Sequence, residues 1–142
     1  MPNTFTAVTS IEIRAPAEKV WEALITPSII KQYLFGTEAS SEWKVGSSIT
    51  YKGEWQGKSY EDKGVILEFE PEKKLVSTYW SSMGGLPDMP ENYNKVTYEL
   101  SPAGNATQLT ITQDNAKTEE SKNHSEQNWK MVLGKIKELL EK

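Results

Sequence analysis

The chain has no cysteine, a single histidine and only three phenylalanines among its 142 residues, and each scarcity removes a class of chemistry. Without cysteine there is no disulfide, no thiolate nucleophile and no cysteine-ligated zinc. The one histidine, His124, lies in the polar run Lys122-Asn123-His124-Ser125-Glu126. Alone it assembles neither a multi-ligand zinc site nor a triad, and it reads as an exposed helix residue. Basic residues are outnumbered, 16 Lys and Arg against 20 Asp and Glu, and they rarely cluster beyond pairs such as Lys73-Lys74. A phosphate-tracking surface needs the opposite, so no nucleic-acid partner is expected. No apolar run approaches the ~20 residues of a membrane span, and the opening MPNTFTAVTS lacks the basic and apolar regions of an export signal. A cytoplasmic protein with no membrane association is the expectation. GxSxG, Walker A, dinucleotide and HExxH motifs are all missing, so neither a cofactor nor a metal is expected.

What is present speaks first of architecture. Ile11 and Ile13 alternate with Glu12 and Arg14 at the period of a half-buried strand. Pro16 suits the first turn of a helix, where its missing N–H costs nothing, and Glu18 complements the positive end of the helix dipole. Val20, Trp21, Leu24 and Ile25 then form one apolar stripe. Thr26-Pro27 ends that helix, because the residue before proline is driven out of the α region. A second short helix through Ile29, Ile30, Tyr33 and Leu34 stops at Gly36.

Further strands are expected over 42–44, 48–55, 59–70, 75–82, 93–100 and 107–113, with turns at Gly46, Gly57, Pro71 and 101–105. The segment MGGLPDMPEN, 83–92, holds two glycines and two prolines and reads either as a solvent-exposed loop or as a pocket rim, with Met83 and Leu86 on its apolar side. A closing helix over 119–141 carries Trp129, Val132, Leu133, Ile136 and Leu140 on one stripe, and it alone is long enough to cover the sheet. The result is a single α+β domain, 1–142: an antiparallel sheet wrapped around the C-terminal helix, with two short helices after the first strand closing one end.

Carboxylates are the remaining candidates for reactivity. Glu61 and Asp62, adjacent on a strand, point to opposite faces and cannot converge on one substrate. Glu68 and Glu70 share a face, most simply the wet one. Were Glu68 turned inward, desolvation would raise its pKa and make it a candidate acid or base. The aromatics Trp43, Tyr51, Trp55, Phe69, Tyr79, Trp80 and Tyr98 fall on the expected strands, opposite Trp129 of the last helix. Each ring alone reads as core; together they suit pocket walls, offering apolar bodies with polar handles.

The order of elements resembles the helix-grip fold of the START-like, or SRPBCC, superfamily. APAEKVWEALITPSIIKQY is similar to the opening helices of proteins like the C-terminal domain of the activator of heat-shock protein 90 ATPase. WKVGSSITYKGEW, YEDKGVILEFEPEKKLVSTYW and KVTYELSPAGNATQLTITQ follow that family's strands, including the glycine at Gly64 and the turn at Pro71. The chain departs from the family with Tyr33 in place of a tryptophan and Gln113 in place of a histidine. The resemblance implies an interior cavity between sheet and C-terminal helix. Its expected wall is Tyr51, Trp55, Trp80, Tyr98, Ile111, Gln113, Trp129 and Leu133, with Met83 and Leu86 near the mouth and Tyr33 and Phe35 approaching from the short helices. The expected function is binding of a small apolar or aromatic molecule, more simply without catalysis. The resemblance also implies two alternatives: a chaperone-associated stress accessory, and an enzyme like the polyketide cyclases that uses Glu68 or a pocket tyrosine.

Overall fold

The computed structural model describes residues 4–34, 36–55, 57–81 and 87–141, the side chain of Trp55 excepted. In chain order they form β1 (Phe5–Ile13), α1 (Ala17–Ile25), α2 (Pro27–Tyr33), β2 (Glu38–Ser41), β3 (Ser48–Trp55), β4 (Lys58–Glu70), β5 (Lys74–Ser81), a 3-10 turn (Pro90–Asn92), β6 (Asn94–Ala103), β7 (Ala106–Ala116) and α3 (Glu119–Leu140). The strands make one sheet in the order β1-β7-β6-β5-β4-β3-β2, every neighbouring pair antiparallel. This is the expected α+β helix-grip arrangement.

The prolines act where the sequence placed them. Pro16 is the extended N-cap of α1, and its carbonyl accepts from the amides of Lys19 and Val20 at 2.9 and 3.2 Å. Thr26, extended because Pro27 follows, ends α1 and starts α2. The expected strand over 42–44 is not there. Trp43 has φ of +55°, and Ser47 brackets the turn, its hydroxyl donating to the Lys44 carbonyl at 2.7 Å and accepting from the Lys44 amide at 3.2 Å. The strand lies earlier, at β2, and Trp43 is a turn residue. The 101–105 loop is also shorter than expected: pairing runs to Ala103 and Ala106, around Gly104 at φ +66°.

Two features of β4 decide which side chains face inward. Gly64 lies so close to β5 that a Cβ there would collide with the Thr78 carbonyl, and the Val65 amide donates to Thr78 Oγ1 at 2.8 Å. A bulge between Ile66 and Glu68 then puts two residues where one would alternate. Ile66 and Phe69 consequently both reach the core, Phe69 meeting the edge of Trp21 at 5.2 Å. Glu68 is turned out, exposed and 3.6 Å from Lys74, so its inward reading as acid or base does not stand.

α3 lies along β1. Its C-terminal half buries Val132, Leu133 and Ile136 in one cluster with Ile13, Val20, Ile30, Leu109 and Ile111. Carboxylates fasten both halves to β1: Glu126 accepts from the Val8 amide at 3.1 Å and Glu141 from the Arg14 amide at 2.8 Å.

Candidate functional site

Residues 119–128, EESKNHSEQN, form the first half of α3 without one apolar side chain. At 1.5 Å per residue this is about 15 Å of helix with nothing to insert between sheet residues. The space it leaves is a cavity of about 840 Å³, bounded by β3 to β7 on one side and 121–132 on the other. At its deep end a void of about 20 Å³ shares Tyr51, Tyr98 and Trp129 with it.

Sheet register sets the lining. Tyr51 is paired with Asp62, and Asp62 with Ser81, so these three share the inner face. Tyr79 lies two residues before Ser81 on the same face, and its hydroxyl donates to Asp62 Oδ2 at 2.7 Å. Asp62 Oδ1 is buried and accepts no hydrogen bond. Deeper in, Tyr98 meets Trp129 edge to face at 6.0 Å, and Trp129 Nε1 donates to Gln113 Oε1 at 2.8 Å.

Of the expected wall residues, Tyr51, Trp80, Tyr98, Gln113 and Trp129 line the cavity. Trp80 does so only at the rim. Its pairing partner Lys63 belongs to the opposite face, the Lys63 ammonium sits 5.6 Å from its ring, the ring stacks on Tyr93 at 6.4 Å, and its Nε1 donates to the Pro87 carbonyl at 3.2 Å. Ile111 and Leu133 are buried in the packed core rather than the pocket. Tyr33 borders only the small void, and its hydroxyl is committed to the Ala23 carbonyl at 2.8 Å. Phe35, Met83 and Leu86 lie outside the described residues, as does the side chain of Trp55. His124 is exposed at the mouth.

Asp62 and Tyr79 line the cavity although neither belongs to the wall expected from the sequence. A signal existed. Trp55 pairs with Lys58 across the turn at Gly57, which puts Asp62 opposite Tyr51; an inward Tyr51 therefore entails an inward Asp62.

Burial holds the hydroxyls of Tyr33, Tyr51, Tyr79 and Tyr98 well above the ordinary tyrosine range. At Tyr79 the Asp62 charge adds to burial. The pocket phenols are therefore neutral hydrogen-bonding groups near pH 7, not phenolate bases. Among the described residues no group of three His, Asp or Glu side chains could hold a metal ion, and no helix is long and apolar enough to cross a membrane.

Comparison with known proteins fits this geometry. Residues 14–141 match the family described as activator of Hsp90 ATPase homolog 1-like protein. A protein from Cytophaga hutchinsonii, known as a solution structure, is 48% identical over 96% of this chain and 94% of its own, with a TM-score of 0.85. A crystal structure from Mesorhizobium loti is 24% identical over 96% of this chain and 97% of its own, with a TM-score of 0.79. The Aha1 dimer from Colwellia psychrerythraea is 23% identical, 96% of each chain being covered, with a TM-score of 0.74. No curated protein matches.

Proposed function

The chain belongs to the family of activator of Hsp90 ATPase homolog 1-like proteins, and from that premise we propose that it is a cytoplasmic binding domain for a small apolar or aromatic molecule. The observation that carries this reading is the cavity of about 840 Å³ walled by Tyr51, Tyr79, Tyr98 and Trp129. Its size lies within the range of small-molecule sites, and its lining combines apolar ring faces with a few fixed polar groups. The one hydroxyl–carboxylate pair among the described lining residues, Tyr79 on Asp62 at 2.7 Å, has no third group that orients the carboxylate. With Glu68 on the outer face, the cyclase-like alternative is left with the Asp62–Tyr79 pair and the other pocket tyrosines, which stay protonated.

The test is a panel of hydrophobic ligands read by melting temperature and tryptophan fluorescence. Saturation at 100 times Kd adds about 2.7 kcal/mol to stability, which moves a domain of this size by several degrees. Of the five tryptophans, Trp129 lies deep in the cavity and Trp80 at its rim, so Trp129→Phe must reduce the quench. No thermal shift across the panel, or a quench untouched by Trp129→Phe, overturns the reading. The family's name favours a second role beside a chaperone. That role would use the outer surface, and failure of the protein to bind or stimulate purified Hsp90 counts against it.

A further inference from the structure

The pocket contains a charge without a counter-charge. Asp62 Oδ2 is satisfied by the Tyr79 hydroxyl at 2.7 Å, whereas Oδ1 is buried with no donor. An ionised carboxylate offers about four acceptor positions, and a buried oxygen met by no donor of the protein is a costly arrangement. Neighbouring cations are all engaged elsewhere. Lys63, next in sequence, lies on the opposite face and is bound to Asp88 at 2.6 Å. Lys117, at the mouth, donates to the Glu91 carbonyl at 3.0 Å and to Asn115 Oδ1 at 3.2 Å. His124 is exposed on α3. The undescribed residues between 4 and 141, namely Phe35, Gln56 and 82–86, include no lysine, arginine or histidine. Among the described residues no cation therefore neutralises Asp62.

We infer that the ligand does so: the pocket selects molecules joining an apolar or aromatic body to a protonated primary or secondary amine, whose N–H is donated to Asp62 Oδ1. The walls fit such a head group. Tyr51 stands directly opposite Asp62 in the β3–β4 ladder, and Tyr79 and Tyr98 line the same cavity; aromatic faces attract a cation. Tyr79, by donating its hydrogen bond to Oδ2, leaves Oδ1 as the acceptor offered to a guest. The apolar body would extend along Tyr98 and Trp129. Trp129 Nε1 is not offered to the guest, since it already donates to Gln113.

This inference rests on the binding reading above, and its test separates the two. Three probes share one ring system: naphthylmethylamine, naphthylmethanol and naphthoate. By isothermal titration calorimetry at pH 7, the amine is expected to bind at least tenfold more tightly than the alcohol, with the naphthoate weakest. Asp62→Asn, nearly isosteric, should reduce the amine-to-alcohol ratio to below threefold while leaving the alcohol's affinity within twofold. Tyr79→Phe, which strips the donor from Oδ2, should keep or raise the ratio. This second variant guards against a misfolded first one. An alcohol that binds as tightly as the amine, or an undiminished preference in Asp62→Asn, overturns the amine inference alone. Binding of none of the three, with no thermal shift across the hydrophobic panel, overturns both.

Discussion

The two halves of α3 face the same sheet and do opposite things. From Trp129 onward the helix presents Val132, Leu133 and Ile136, all buried against the strands. Before Trp129 it offers only polar side chains, and the sheet opposite carries Ser77, Asn94 and Gln113 around a cavity. Both halves are anchored to β1 by a carboxylate on a backbone amide, at Val8 and at Arg14. Position along the sheet is thus fixed by polar contacts at both ends, while packing exists at one. One element serves as core and as cavity roof because its hydrophobic pattern stops halfway.

The sharpest way to break this comparison is to delete side chains from each half. Leu133→Ala removes a fully buried side chain from a close-packed cluster and should cost about 2–5 kcal/mol in urea denaturation. Asn128→Ala, on the exposed roof of the cavity, should change stability by no more than about 0.5 kcal/mol. Comparable losses at both positions would mean that the first half of α3 packs after all.

The packed half was readable in advance, the open half only partly. Val132, Leu133 and Ile136 repeat at helical spacing, and apolar residues at that spacing have one place to go. Pro16 and Pro27 bound the short helices through local sterics alone. Pocket parity is a different matter. In β5 the residues Leu75, Val76 and Ser77 are all buried, so the alternation that marks a half-buried strand is lost in the middle of the sheet. Choosing Tyr79 over Trp80 therefore required the register to β4, and that register is bent by the close approach at Gly64 and the bulge before Glu68. The turn at Trp43 was hidden for another reason: a tryptophan at positive φ contradicts its own strand propensity, and side chains of Ser41 and Ser47 hold it there. Local rules cannot see contacts made across strands.

A second prediction converts the open half toward the packed one. Replacing Asp62 alone by leucine would leave the Tyr79 hydroxyl without its acceptor, so the paired change Asp62→Leu with Tyr79→Phe is the informative one. Removing both partners together eliminates the unpartnered Oδ1 and adds apolar surface; stability should rise by about 1 kcal/mol. Amine binding should vanish in the same protein. A double variant that is less stable than the parent would show that Oδ1 has a donor in solution, and the argument for an amine ligand would weaken with it.

The smallest effect concerns the anchor of the packed half. Glu141 accepts from Lys137 Nζ at 2.6 Å and from the Arg14 amide at 2.8 Å, and these bonds, the Lys137 one first, hold its carboxyl below the ordinary glutamate value. A carboxyl depressed in the folded state stabilises above its unfolded pKa, and the contribution is lost as pH falls through the folded value. The group is solvent-exposed, so screening leaves little for global stability. Local protection should respond instead. Amide exchange at Arg14, corrected for intrinsic rate, should accelerate as pH falls through the depressed folded value, below the ordinary glutamate range, and should be fast at neutral pH in Glu141→Gln if the charge, rather than the oxygen, secures the bond. The core beside it, at Leu133, should not notice, because apolar packing has no protons to gain. An Arg14 amide whose protection is indifferent to both changes would assign the hold on this end of α3 to packing and to Lys137, whose ammonium donates to the Glu12 carbonyl at 2.9 Å, leaving Glu126 as the carboxylate anchor to β1 that matters.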